Sequence, residues 1–454
     1  MPPQEEVKRL LCMSLNNLSA TQAVDKIRKG EITSEELVQA CLERIDKIDD
    51  EIEAWAYLNH DYALEQARKL DIIRQAGDPI GQLHGIPVGI KDIIDTAHVP
   101  TELGTPIHSG RVPFKDAWVV SRLREAGAVI MGKTVTTELA TYAPGKTKNP
   151  HDPNRTPGGS SSGSAAAVAS YMVPIALGSQ TNGSIIRPAA FCGVFGFKPS
   201  FGMIPRSGVL QLSIPLDQLG VFALTTDDVA LLTQVLAGYD ETDSATTFLR
   251  ATPSLISVAA EEPPLPPKIG FVKTPVWDRA DEMCKGAHEE LSETLGENVE
   301  EIELSPSFGH VLDHHNIIME ADLAYSYAHD YETAKDKLSD SLRLQIERGM
   351  NYSAVVYHQA KSQQIVLDDI LGGLFQEYDA LLTPSASGEA TIGLDDTGDP
   401  SFCTIWTFCG VPALNIPVFK GENGMPIGTQ LVGAKNDDAR LLRTANWLLR
   451  KFND

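Results

Sequence analysis

Gly158-Gly159-Ser160-Ser161-Ser162-Gly163-Ser164 and Gly178-Ser179-Gln180-Thr181-Asn182-Gly183-Ser184 lie close together in the chain, downstream of a lysine set in Gly85-Ile86-Pro87-Val88-Gly89-Ile90-Lys91-Asp92. Serine and lysine in this company suggest a serine nucleophile with a lysine base. A serine hydroxyl is a poor nucleophile until a neighbouring base takes its proton, and an amine does so only when neutral. Lysine ordinarily titrates near ~10.4, so a working base must be desolvated or placed near other cations. Ile86, Val88, Ile90, Ile93 and Ile94 form an apolar run able to bury Lys91, whereas Asp92 and Asp95, facing it, would hold the amine protonated. The glycines let backbone N–H groups approach a substrate closely and so build an oxyanion hole.

Taken singly, each piece has a plainer reading. Gly/Ser clusters are most often flexible loops, and a Gly-rich turn before a helix also cradles phosphate. Against phosphate, the chain has no GxxxxGK[ST] motif, and the first cluster runs into Ala165-Ala166-Ala167-Val168-Ala169 without a lysine. A lone lysine in an apolar strand usually snorkels to water at an edge.

The joint pattern is more specific. Lys91, Gly158-Gly159-Ser160-Ser161, Gly183-Ser184-Ile185 and Cys192-Gly193-Val194-Phe195-Gly196-Phe197-Lys198-Pro199 together resemble the amidase signature family, and Ser160 and Ser184 stand 24 residues apart, the spacing that family uses. The similarity extends to Leu18-Ser19-Ala20, to Asp379-Ala380-Leu381-Leu382-Thr383-Pro384, to Gly410-Val411-Pro412-Ala413 and to Gly428-Thr429-Gln430-Leu431-Val432-Gly433. It is weakest between about 240 and 376. The resemblance implies Lys91 as general base, Ser184 as nucleophile and Ser160 as the bridging serine, preceded by a cis peptide at Gly159-Ser160. It also implies an oxyanion hole from the N–H groups of Thr181, Asn182, Gly183 and Ser184. Three positions depart from the family pattern: Gln180 replaces an aspartate, Asn182 a glycine and Ile186 an arginine, with Arg187 one residue later. A neutral contact is expected where the family has an ion pair.

Composition sets outer bounds. The chain has 454 residues, 42% hydrophobic and 22% charged, close to globular averages. A formal charge of −23 would repel a phosphate backbone, so the expectation is no nucleic acid and no membrane as partner, with a homodimer allowed. Cys12, Cys41, Cys192, Cys284, Cys403 and Cys409 are scattered without a CxxC pair, which fits reduced thiols in a cytoplasm, with Cys403 and Cys409 near enough in sequence to meet. His310 and His314 have helical zinc-pair spacing but no HExxH glutamate, so an ordinary helix face is expected, with no metal and no cofactor. Met1-Pro2-Pro3-Gln4-Glu5-Glu6 lacks the basic and apolar regions of a signal peptide, and no 18-residue apolar run is present.

The expected fold is α/β: one amidase-signature domain over 1–454, with a central mixed β-sheet covered by α-helices on both faces. Short apolar strands such as Val88-Gly89-Ile90 and Val129-Ile130-Met131 alternate with helical stretches such as the one from Asp116 to Glu125. Ser19-Ala20-Thr21-Gln22 and Thr33-Ser34-Glu35-Glu36 fit the capping box, with Gly30 as a helix end between them, so residues 1–60 read as helices packed on the main body. Glu261-Glu262-Pro263-Pro264-Leu265-Pro266-Pro267 reads as a rigid surface connection before a strand. The helical region over 240–375 is expected to wall the substrate pocket, with Tyr325, Tyr327, Tyr331, Trp406 and Phe408 as candidates for that wall.

The expected activity is cleavage of the C–N bond of a neutral amide by a serine hydrolase through an acyl-enzyme, with anilides, esters and carbamates within the same chemistry. The expected partners are a small-molecule amide substrate and water. One alternative is the glutaminase subunit of a tRNA-dependent amidotransferase, which requires partner subunits and an ammonia route. An alternative of another class is a non-catalytic binding protein on the same fold.

Overall fold

In a computed structural model, residues 14–246 and 254–453 are described; Cys12 and the 1–6 start lie outside them. Eleven strands among these residues join into one sheet: β1 (Trp55–Leu58), β2 (Pro87–Lys91), β3 (Val129–Thr134), β4 (Ile175–Gln180), β5 (Phe195–Lys198) and β6 (Gln218–Ala223) from the first half. The second half adds β7 (Ile269–Val272), β8 (Val299–Ile302), β9 (Ala380–Pro384), β10 (Ala413–Lys420) and β11 (Pro426–Val432). Their order is β1-β3-β2-β4-β6-β5-β10-β11-β9-β7-β8. β2 runs parallel to both β3 and β4, and β7 parallel to β8 and β9, while the remaining pairs are antiparallel. The sheet is therefore mixed, as expected.

Every residue of β2, β3, β4, β6, β9 and β11 is buried. Successive side chains of a strand point to opposite faces, so a strand buried throughout is covered by helices on both sides. One of the two outermost strands, β8, is different: Glu300 and Glu301 are exposed on it, and charge on an edge strand discourages pairing with another chain.

Local signals place the first helices. Ser19 and Thr33 both form complete capping boxes, with Gln22 and Glu36 respectively, and Gly30 closes the first helix at φ 73°. The second helix, Ser34–Ile52, gains a tertiary cap as well, because Asp71 accepts hydrogen bonds from the Ser34 and Glu35 N–H groups at 2.8 and 3.0 Å. The helix expected from Asp116 begins instead at Trp118, since Asp116 turns to accept from Ala97 N–H and pairs with Arg124. The proline-rich stretch lies between the helix Leu255–Ala260 and β7.

The stretch Gly158–Ser164 is no flexible loop. All seven residues are buried, and Ser162 begins the helix Ser162–Ala169. Gly163 shows how close that helix sits to its neighbours: a Cβ there would come within 2.3 Å of both Ala54 O and Val135 N. These are backbone atoms that no rotamer change can move aside. Gly163→Ala is expected to lower the free energy of unfolding by about 1–3 kcal/mol through overpacking. Urea unfolding of parent and variant checks it, and an unchanged midpoint would show that the helix can shift.

Candidate active site

β2 and β4 are adjacent and parallel, so their C-terminal ends reach the same edge of the sheet. Crevices outside the carboxyl ends of parallel strands are where open α/β sheets bind ligands. β2 ends in Lys91 and β4 in Gln180, which brings the lysine beside the second serine-rich stretch. The first stretch enters from the N-terminus of the helix Ser162–Ala169, after a cis peptide at Gly159-Ser160.

The Lys91 amine is fully buried and hydrogen-bonded to two hydroxyls, Ser160 Oγ at 2.7 Å and Ser179 Oγ at 2.8 Å. Burial pushes its pKa well below the usual lysine range, with the Asp217 charge opposing. Asp92 and Asp95 are not the opposing charges. Asp92 accepts from Glu102 N–H and feels Lys133, while Asp95 pairs with Arg111, because alternation along the chain directs Asp92 away from Lys91. The same alternation puts Val88 and Ile90 on the opposite face from Lys91, so its burial comes from a central strand covered on both sides.

The turn from Thr181 to Ser184 is held from outside and left open inside. Gln180 Oε1 accepts hydrogen bonds from Ile185 N–H at 2.7 Å and Ile186 N–H at 3.0 Å, and its Nε2 donates to Thr407 Oγ1. Thr407 Oγ1 in turn donates to Asn182 O, and His315 Nε2–H donates to Thr181 O. Burial pushes the His315 pKa down to about 4, so the ring is neutral; this member of the histidine run is a brace for the turn. Thr181 Oγ1 donates to Asp217 at 2.6 Å, and Asp217 also accepts from Leu212 and Ser213 N–H; burial raises its pKa to about 6 against those bonds. With so many anchors, the N–H groups of Thr181, Asn182, Gly183 and Ser184 donate no hydrogen bond among the described residues. Four unengaged N–H groups beside a serine can receive the negative oxygen of a tetrahedral intermediate.

The Ser184 side chain borders a small cavity of about 20 Å³ with Tyr142, Asn182, Leu212, Met319, Leu323, Gln345 and Pro400. Its hydroxyl makes no hydrogen bond among the described residues, and Ser160 is bonded to Lys91 rather than to Ser184. Arg187 borders the same cavity but is committed elsewhere. Its guanidinium donates to Gly159 O at 2.7 Å, to Gly398 O at 2.7 Å and to Thr397 Oγ1 at 3.1 Å, so it clamps the carbonyl of the cis peptide.

The aromatic wall differs from expectation. Tyr325 is exposed, Trp406 and Phe408 are core residues, and none of the five named aromatics borders the Ser184 cavity. Tyr327 is buried and its hydroxyl donates to the carbonyl of Leu139, a residue held at φ 46° next to cavity-lining Ala140. Tyr142 is the aromatic at the site, with Asn182 Nδ2 donating to its hydroxyl. Ser179, Asp217, Tyr142 and Gln345 carried no role in the sequence; only Ser179 had a signal, its place in the second serine-rich stretch. Cys403 and Cys409 are free buried thiols, and no group of His, Cys, Asp and Glu suited to a metal occurs among the described residues. No helix of the described residues is long and apolar enough to cross a membrane.

Residues 36–442 match the family model for amidase, and the chain belongs to this family, the amidase signature enzymes. It is 32% identical to a subunit of the glutamyl-tRNA(Gln) amidotransferase of Carboxydothermus hydrogenoformans, covering 96% of this chain and 97% of that protein. It is 33% identical to the corresponding subunit from Chloroflexus aurantiacus, over 95% and 96%. Among solved structures it superposes on peptide amidase from Stenotrophomonas maltophilia with a TM-score of 0.83, 27% identity and coverage of 96% and 97%. A chain from a vestigial protein complex, one that reveals the evolutionary origins of an s-triazine catabolic enzyme, gives 0.89, 26% identity and coverage of 96% and 98%. These relatives correct the expectation of a chain with no partner beyond substrate, water and a homodimer, and with no link to nucleic acid: the curated relatives are subunits of a glutamyl-tRNA(Gln) amidotransferase. Net charge governs long-range attraction of an isolated chain and says nothing about assembly with other subunits, so −23 had no power to exclude either.

Gln180 does with a neutral carbonyl what a carboxylate would do at the same place. Gln180→Leu leaves two buried N–H groups and the Thr407 hydroxyl without their partner, and is expected to destabilise the protein by about 2–4 kcal/mol. A fall in the urea midpoint and a fall in the thermal transition are the measurements; a variant as stable as the parent would mean that the turn does not depend on Gln180.

Proposed function

We propose that the chain cleaves a small carboxamide by acylation of Ser184, with Lys91 as base and Ser160 as the proton bridge. The single observation that supports this best is the fully buried Lys91 amine hydrogen-bonded to Ser160 beside a turn with four unengaged N–H groups. Neutral Lys91 takes a proton through Ser160 as Ser184 Oγ attacks the carbonyl carbon. The oxyanion sits on the N–H groups of Thr181 to Ser184, and Ser160 returns the proton to the departing nitrogen as the C–N bond breaks. Water then repeats the attack, releasing the acid and regenerating Ser184.

For the substrate, the full-length similarity to amidotransferase subunits supports glutamine and a multi-subunit setting, the reading given above as the alternative, better than a free-standing hydrolase. A second reading, hydrolysis of neutral amides by the chain alone, is favoured by one feature of the cavity. Among the described residues its one charged side chain, Arg187, is tied to three acceptors, leaving no cation there for the α-carboxylate of glutamine. Ammonia release from L-glutamine, against release from simple aliphatic amides, separates the two when the chain is assayed without partners.

Ser184→Ala is expected to abolish labelling by a fluorophosphonate and to lower kcat by at least about a thousandfold with the fold intact. Near-normal turnover by this variant would remove Ser184 as nucleophile.

The pH profile tests Lys91. The base works only when deprotonated, so kcat/KM is lost as pH falls through the depressed Lys91 pKa and held above it, giving an ascending limb below the ordinary lysine range. Asp217→Asn removes a charge that favours protonated Lys91, so the limb should move to lower pH. Lys91→Ala should abolish the limb, and Lys91→Arg should not rescue it because guanidinium stays protonated. A limb of the same midpoint in Lys91→Ala would assign the base elsewhere.

A further inference from the structure

The polar side chains around the Ser184 cavity are nearly all engaged by the protein. Thr181 donates to Asp217, Thr141 to Glu138 O, and Asn182 both donates to Tyr142 and accepts from Thr404. Besides the Ser184 hydroxyl, Gln345 is the exception. It lies on the helix Asp340–Gly349, is 5% exposed and borders the cavity, yet its Oε1 is buried without any hydrogen-bond partner. The neighbouring wall is apolar, formed by Leu212, Met319, Leu323 and Pro400. A buried carbonyl left unpaired costs about 1–3 kcal/mol, so a methionine or leucine would suit this wall better if packing were its only task. Arg187 Nε is also buried and unpartnered, but the rest of that guanidinium is fixed on the Gly159 side.

We propose that Gln345 is the specificity-determining residue of this site, its carboxamide oxygen accepting a hydrogen bond from an N–H on the acyl part of the substrate. This rests on the reading that Ser184 is acylated by a carboxamide. The substrate class is then a short aliphatic amide with a second N–H donor beyond the scissile carbonyl, either a neutral amide or an ammonium. A site that hydrogen-bonds its substrate rejects a same-shaped analogue lacking the donor, because its own polar group is left bare.

The experiment compares isosteric pairs on the full chain. Succinamide is set against 4-oxopentanamide and glutaramide against 5-oxohexanamide, each ketone replacing the second NH2 by CH3; L-glutamine is set against glutaramic acid, which lacks only the ammonium. In the parent, the donor-bearing member of at least one pair is expected to win by about tenfold or more in kcat/KM. Gln345→Met, of similar length and volume, should bring that ratio to about one. A ratio lost in the diamide pairs assigns a neutral amide as donor, and one lost in the glutamine pair assigns the ammonium. Fluorophosphonate labelling of Ser184 in the variant verifies a folded site. Hydrolysis with ratios that ignore Gln345 would overturn this inference alone. No hydrolysis of any amide, with Ser184 unlabelled in the parent, would overturn the acyl-enzyme reading and this inference with it.

Discussion

A buried amine is the constraint around which the centre of this molecule is arranged. Taking an ammonium out of water is costly, so burial in the middle of a sheet pushes a lysine pKa down. Lys91 stays there because two hydroxyls, of Ser160 and Ser179, satisfy its hydrogen bonding without adding charge. The parallel pairing of β2 with β4 brings Ser179 to it, and the close seating of the helix Ser162–Ala169 brings Ser160. Fold and electrostatics share one cause here: the burial that makes the sheet core also pushes the Lys91 pKa well below the usual lysine range.

The turn from Thr181 to Ser184 follows a related logic. Backbone N–H groups remain free for a ligand only if something else prevents the turn from collapsing onto them. Gln180, Thr407, His315 and Asp217 do this from outside the turn, engaging the N–H groups just beyond it, its carbonyls and its threonine hydroxyl. All but Asp217 are neutral, and neutral braces avoid the desolvation cost of an ion pair at a buried position. The displaced arginine, Arg187, is not lost from the site; it holds the Gly159 carbonyl immediately before Ser160.

Family membership and the local chemistry speak to different questions. Similarity along nearly the whole chain establishes the amidase family and draws amidotransferase subunits among its relatives. The cavity, with a committed arginine and an uncommitted glutamine, concerns which polar groups face the space beside Ser184. Two lysines elsewhere in the core, Lys133 and Lys198, show that buried amines in this fold are not by themselves a sign of catalysis. Their pKa values are pushed down to about 8 and about 7, yet they bind backbone carbonyls, hydroxyls and an amide side chain that hold structure together.

The sequence by itself determined the elements whose cause is local: the capping boxes at Ser19 and Thr33, the left-handed Gly30, the apolar strands around Lys91 and Val129, and the Gly/Ser stretches that carry Ser160 and Ser184. These depend on residues a few positions apart, so their pattern is visible along the chain. What surrounds Ser184 was decided by tertiary structure. Asp217 acts on Lys91 in place of the adjacent Asp92 because side chains alternate across a strand, a fact of orientation rather than of distance in sequence. Tyr142, Met319, Leu323 and Gln345 meet at Ser184 from three separate segments, and nothing in their own neighbourhoods marks them. A cavity is defined by which faces of distant elements come together, and that is settled only when the sheet and its helices pack.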